Sequence, residues 1–230
     1  MLYFDVYYLI LVVPAMLISF WAQISVKSTF AQYSTVFTQR RISGKEMAEY
    51  LLNQADLSNV KVEGITGSLT DHYDPSSKVL RLSEDVFGQV SVSAVGVAAH
   101  EMGHALQDKE GYVPLVLRST LVPVANIGSQ AGPCLSIAGI AFGMHFLANI
   151  GIILFAGAVL FYLVTLPVEI DASKRALRLL TESNFLSNEE LYGVRKVLTV
   201  AAFTYVASAL VAIASLVRLI LISRDRHRRF

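Results

Sequence analysis

The stretch Leu121–Ile170, LVPVANIGSQAGPCLSIAGIAFGMHFLANIGIILFAGAVLFYLVTLPVEI, meets no charged residue until Glu169. A helix needs about 20 predominantly apolar residues to cross the hydrocarbon core of a bilayer. This tract is long enough for two crossings, and a turn near Gly143 to Asn149 makes it a helical hairpin. Two further uncharged tracts flank it. Val6–Ile24 is interrupted by Pro14 and has Lys27 as the first basic residue after it. With no Lys or Arg before it, and too long for the apolar core of a signal peptide, it reads as a retained anchor. Val197–Val217 ends in Arg218 and the basic tail Arg224-Asp225-Arg226-His227-Arg228-Arg229.

Composition agrees with that pattern. Of the 230 residues 54% are hydrophobic and 16% charged, where soluble domains carry about 25% charged residues. The deficit points to lipid. A net charge of +1, with no basic patch interleaved with aromatics, excludes nucleic acid as a partner, and the tail reads as facing headgroups. The single cysteine, Cys134, permits no intramolecular disulfide and reads as a small buried hydrophobe.

Between the first two tracts lies a polar segment, Lys27 to Pro114, of ordinary globular composition. Ser43-Gly44-Lys45-Glu46 fits a capping box ahead of Met47, Tyr50, Leu51 and Leu52 at helical spacing. Leu69–Tyr73 and Lys78–Leu82 alternate on either side of Asp74-Pro75-Ser76-Ser77 and predict a β-hairpin. A short helical turn follows Ser83, and Ser91 or Ser93 caps a helix that continues to Gln107. The expected organisation is an anchor helix over 3–25, the polar segment over 27–113 and a membrane hairpin over 114–166. A helix over 167–196, a last span over 197–222 and a basic tail over 223–230 complete it.

The helix ahead of Gln107 carries His100-Glu101-Met102-Gly103-His104. Residues four apart share one helix face, so the two imidazoles can address one tetrahedral ion. Glu101, one step round, reaches a water on that ion without occupying a ligand position. Zinc chemistry of this kind needs two neutral nitrogen ligands and a carboxylate base. The preceding run is small and apolar, with no charge from Gln89 to Ala99. A catalytic zinc usually takes three protein ligands and keeps one position open. A metzincin would place Gly at 107 and His at 110; Gln107 and Glu110 stand there, which excludes that class. A glutamate from a later helix is the other arrangement, and Glu169 is its candidate, because a membrane hairpin returns the chain to the side where His104 left it. Two readings of Glu169 stand: metal ligand, or acid complementing the dipole of a helix opened by Pro167, a role Asp171 would serve equally. Glu182, Glu189 and Glu190 read as solvated charges, and Glu110 lies too close to His104 in sequence.

Around His100–Gln107, in Asp71-His72-Tyr73-Asp74-Pro75 and in Leu166-Pro167-Val168-Glu169 with Asp171-Ala172-Ser173, the chain resembles the YugP-type bacterial membrane zinc metallopeptidases, a neutral zinc metallopeptidase family. The likeness extends to Leu117-Arg118-Ser119 and Val122–Gly128. That family is similar in turn to the HtpX-like membrane peptidases. The resemblance implies a mainly α integral membrane protein of about four transmembrane helices with a small zincin-like α+β catalytic domain. It implies Zn2+ held by His100, His104 and Glu169, with Glu101 as general base. The HtpX-like relatives carry Asp four residues after the ligand Glu; here that residue is Ser173, and Asp171 is the available substitute. His72, in the hairpin where such peptidases offer an edge strand to substrate, is a candidate for oxyanion stabilisation, as is Tyr73; a plain turn-flanking polar residue is the alternative. His145 reads as interfacial and His227 as part of the tail.

The expected function is a zinc endopeptidase of the bacterial cell membrane acting on peptide or membrane-protein substrates. The competing reading is a zinc-binding membrane scaffold. Retention of Glu101 and a count of three ligands rather than four favour the enzyme. A transporter would want ionisable groups inside the spans, and the expected spans contain none. A membrane-protein partner or a second copy of the chain is compatible with either reading. The arginine-rich tail argues for a cytoplasmic C-terminus, whereas Lys27, Arg40, Arg41 and Lys45 and the likeness to HtpX-like peptidases argue for a cytoplasmic site. The two leave the side open.

Overall fold

Residues 5–227 are described in a computed structural model; Arg228 and Arg229 of the tail, and the side chains of Arg226 and His227, lie outside the described residues. The chain is mainly helical, with one three-stranded sheet, and divides into two compact units. One unit comprises Ile24–Leu115 with Val168–Phe203. The other comprises residues up to Gln23, Val116–Pro167 and the chain from Thr204.

In the first of these, α1 (Val13–Ser34) ends and a loop leads to α2 (Gly44–Gln54). The Ser43 hydroxyl accepts from Glu46 N at 3.2 Å, and the Glu46 carboxylate accepts from Ser43 N at 2.8 Å, closing both sides of a capping box. β1 (Lys61–Ile65) runs parallel to β3 (Val79–Ser83), and β2 (His72–Asp74) runs antiparallel to β3, so the order is β1-β3-β2. The β2–β3 turn is held by Asp74, whose carboxylate accepts from Ser76 N at 2.9 Å and from the Ser77 hydroxyl at 2.6 Å. β2 is shorter than the alternation predicts because Gly67 and Leu69 sit at φ +108° and +55° and bend the chain before it. β1 escapes the sequence pattern altogether: Gly64 interrupts it, and it has no buried residue to mark a face.

A short α3 (Glu84–Phe87) precedes α4 (Val92–Lys109), which is capped by the Ser91 hydroxyl accepting from Ala94 N. α4 is buried along nearly its whole length. Met47, Leu51, Leu80, Leu82, Val86 and Met102 form the core around it, closed by Leu180 and Val194 from later helices. Glu190, expected to be a solvated charge, is buried. It accepts from Ser187 N and Gln39 N, both at 2.6 Å, so it caps α7 (Asn188–His227) and pins the loop after α1.

In the second unit, a π-helical turn (Tyr8–Val12) enters α1, and Asp5 pairs with Arg218 at 2.7 and 2.9 Å. α5 (Val113–Phe142) and α6 (His145–Ser183) follow one another across a tight turn. Gly143, at φ +71°, supplies the left-handed residue that ends α5, and Met144 N donates to Gly139 O at 2.8 Å. The two helices pack backbone to backbone. A Cβ on Gly128 would come 2.2 Å from Leu154 O, and one on Gly139 would come 2.3 Å from Ala148 N. Close approach through small residues is the usual source of helix association in lipid.

Among the described residues three helices are long and apolar enough to cross a membrane: Tyr8–Ser34, His145–Ser183 and Asn188–Asp225. α5 is not among them; Asn126, Ser129 and Gln130 interrupt its apolar run. Cys134 is exposed on α5 rather than buried, a position an apolar thiol tolerates on a helix of this composition. Pro167 does not open a helix: α6 runs through it from His145 to Ser183. The proline lacks one backbone donor, but continuing the helix keeps the other backbone groups bonded within the segment, which lipid demands. The expected element over 167–196 is therefore the end of α6, a short loop and the first turns of α7.

Candidate metal centre

Two helices of one unit build the site. α4 places His100 and His104 one turn apart, with ring centroids 4.8 Å from each other. α6 lies against the same face because Gly103, between them, has no side chain: a Cβ there would meet Ala172 O at 2.4 Å. That contact brings Glu169 and Ser173, one turn apart on α6, over the two imidazoles. The Glu169 Oε2 atom is 3.2 Å from His100 Nε2 and 3.6 Å from His104 Nε2. The three atoms offered by these residues all lie within 4.8 Å of one another. Glu169 is 2% exposed and His104 8%. Glu169 therefore sits in mid-helix, which removes the reading of it as an acid at a helix start.

The other ring nitrogens are held too. His104 Nδ1 is 3.0 Å from Gln107 Oε1, and His100 Nδ1 is 3.2 Å from Ser173 Oγ. Both rings thus turn Nε2 toward Glu169. Ser173 thus holds His100, while Asp171 is reached from His104 through Gln107, whose Nε2 donates to Asp171 Oδ2 at 2.9 Å and to Val168 O at 2.8 Å. The sequence pattern does not assign Gln107 a role at the histidines. Its one signal was an amide three residues after His104 on a buried apolar helix.

The donor set fits a metal. Two imidazole nitrogens and a carboxylate oxygen converge, and zinc takes nitrogen and oxygen donors of this kind in catalytic sites. Without a cation, a proton on an imidazole must balance the buried carboxylate. Burial pushes His104 down from its ordinary value, but the hydrogen bond to Glu169 and the charges of Glu101 and Glu169 outweigh it and leave His104 raised. Glu101 is 7% exposed and makes no hydrogen bond or ion pair among the described residues. A buried carboxylate left so is costly. His72 is exposed on β2; its Nδ1 is 2.9 Å from Thr70 O and its Nε2 3.5 Å from Arg81 Nη1. Neither partner belongs to the cluster.

Residues 8–224 match the family described as "Putative neutral zinc metallopeptidase". The chain belongs to this family. It is also 47% identical over 215 residues, 94% of this chain and 96% of the relative, to the protein named "Putative membrane protease YugP" of Bacillus subtilis (strain 168). No solved structure matches the chain. Family membership implies zinc, and His100, His104 and Glu169 are the residues that offer it a site. The relative is named as a bacterial membrane protease, and among the described residues of this chain three helices are long and apolar enough to cross a membrane.

Proposed function

We propose that the chain is a membrane-bound zinc endopeptidase that hydrolyses peptide bonds in peptide or membrane-protein substrates. One observation carries this reading: three convergent ligand atoms within 4.8 Å of one another, beside the buried carboxylate of Glu101, which makes no hydrogen bond or ion pair among the described residues. A purely structural zinc would need no uncommitted base and is usually closed by four protein ligands.

In this reading His100, His104 and Glu169 hold the ion. Zinc bound there supplies Lewis acidity that sharpens the acidity of water and polarises a carbonyl. Glu101 takes one proton from the attacking water as its oxygen bonds to the acyl carbon. As the C–N bond breaks, Glu101 returns that proton to the departing amine. The burial of Glu101 keeps bulk water from competing for it. Ser173 and Gln107 hold the rings, so no reorientation is required when metal enters.

We also read α5 as a fourth span. It is uncharged from Leu121 onward, exceeds the length a crossing requires, and packs against α6 through Gly128 and Gly139. The α4–sheet arrangement, with β2 as an edge strand tied to α4 by the Tyr73 hydroxyl donating to Asp108 at 2.6 Å, supports a zincin-like domain.

Peptide-library cleavage read by mass spectrometry, comparing the detergent-purified protein with Glu101→Gln, tests the function. Cuts made only by the wild type support the peptidase. Identical patterns, or zinc-loaded protein that cuts nothing, support a zinc-binding scaffold instead.

A further inference from the structure

The two histidines of the cluster are held by chemically different partners. Gln107 is fully buried, and both protons of its amide nitrogen are committed to groups that only accept: Val168 O and the Asp171 carboxylate. Turning the amide over would set its oxygen against a carbonyl and a carboxylate. Its orientation is therefore fixed by its surroundings. Asp171 is held in turn by Arg175 Nε at 2.5 Å, and Arg175 Nη1 reaches Glu110 at 2.6 Å, at the end of α4. The chain Glu110–Arg175–Asp171–Gln107 thus aims one acceptor, Gln107 Oε1, at His104 Nδ1.

An acceptor there requires a proton on His104 Nδ1, which leaves the Nε2 lone pair for a cation. Ser173 imposes no such choice. A hydroxyl donates or accepts, so His100 Nδ1 is compatible with either tautomer.

We infer that Gln107, oriented by Asp171 and Arg175, is a positioning residue that presets the metal-binding tautomer of His104 before any metal arrives, while His100 stays adjustable. This rests on the zinc-site reading only for its use; the tautomer itself is a property of the metal-free protein. Groups of this kind typically change metal affinity by about 10- to 100-fold when removed.

The test uses full-length protein in detergent with 15N-labelled histidine, stripped of metal and kept above the titration of His104. His104 of the wild type is expected as the Nδ1–H form, and Gln107→Leu as a mixture of tautomers. Zinc affinity by chelator competition should fall about 10- to 100-fold in Gln107→Leu and clearly less in Ser173→Ala. Asp171→Ala, at a more exposed position than the buried Gln107, covers the case in which Gln107→Leu does not fold. It keeps the amide but frees its orientation, and both readouts should move in the same direction to a smaller extent. An Nε2–H wild type, or a tautomer and affinity unchanged in the variants, overturns the inference. A wild type that binds no zinc sinks the peptidase reading instead, and the tautomer signals still decide this one.

Discussion

The backbone carbonyl of Ala172 lies where a Cβ on Gly103 would be, 2.4 Å away. Gly103 is therefore the point at which α4 and α6 touch, and the touch sets the distance from the two histidines to Glu169. In an exposed helix Gly→Ala is worth about 0.5–1 kcal/mol of added stability. Here a methyl group must displace backbone, which costs about 1–3 kcal/mol in a packed interior. The steric effect wins. Gly103→Ala should lower the thermal midpoint and weaken zinc binding together, measured by calorimetry and chelator competition on the same preparation. Unchanged zinc affinity would show that α6 reaches the histidines by another route.

Glu101 leads to a cleaner separation. Its carboxylate makes no hydrogen bond or ion pair among the described residues, so Glu101→Gln should keep the fold and the zinc content of the wild type. Removing a general base typically costs about 10²–10⁴-fold in rate. The expected result is full zinc by elemental analysis with cleavage down by at least about 10²-fold. A variant that loses its zinc would move Glu101 from base to structural support.

Much of this site is legible in the sequence, because helical periodicity is a local property. His100, Glu101 and His104 declare their geometry through spacing alone, and Ser43 with Glu46 declares a helix start in the same way. Glu169 is legible only through topology, as the acid at the return of an apolar hairpin, and Pro167 misplaces it at a helix start, since neighbouring lipid or helices override the proline rule. The contacts of Gln107 and Ser173 with the two rings are not legible, because they depend on which backbone faces them across the α4–α6 contact. Glu190 misleads for the same reason: a carboxylate near a helix start reads as solvated until Gln39 N arrives from the far end of the sequence to be capped.

His72 and Tyr73 are neighbours on β2 and should behave oppositely. The His72 ring is exposed, against Thr70 O and Arg81, so His72→Ala should leave zinc affinity unchanged. The Tyr73 hydroxyl donates to Asp108 at 2.6 Å, and burial with that bond pushes the phenol well above its ordinary range. Tyr73→Phe removes a bond to a charged group worth about 1.5–3 kcal/mol, an upper range here because Lys78 also serves Asp108. Unfolding of the two variants in denaturant decides between them. A fall in turnover for His72→Ala at full zinc content would instead support the oxyanion role of that histidine.

The pH dependence of metal loading follows from His104. Its proton affinity in the metal-free protein is raised, so the stability this proton confers is fully present below the ordinary value of about 6.5 and is lost as pH rises through the higher folded value. Zinc needs the neutral ring and therefore gains over the same interval. Metal-free and zinc-loaded protein should show opposite slopes of thermal midpoint against pH above about 6.5, converging on the acid side. Glu101 supplies part of the raising charge, so Glu101→Gln should move the crossover to lower pH. Parallel slopes with and without chelator would mean that the proton on His104 and the metal do not compete, and that the ion binds elsewhere.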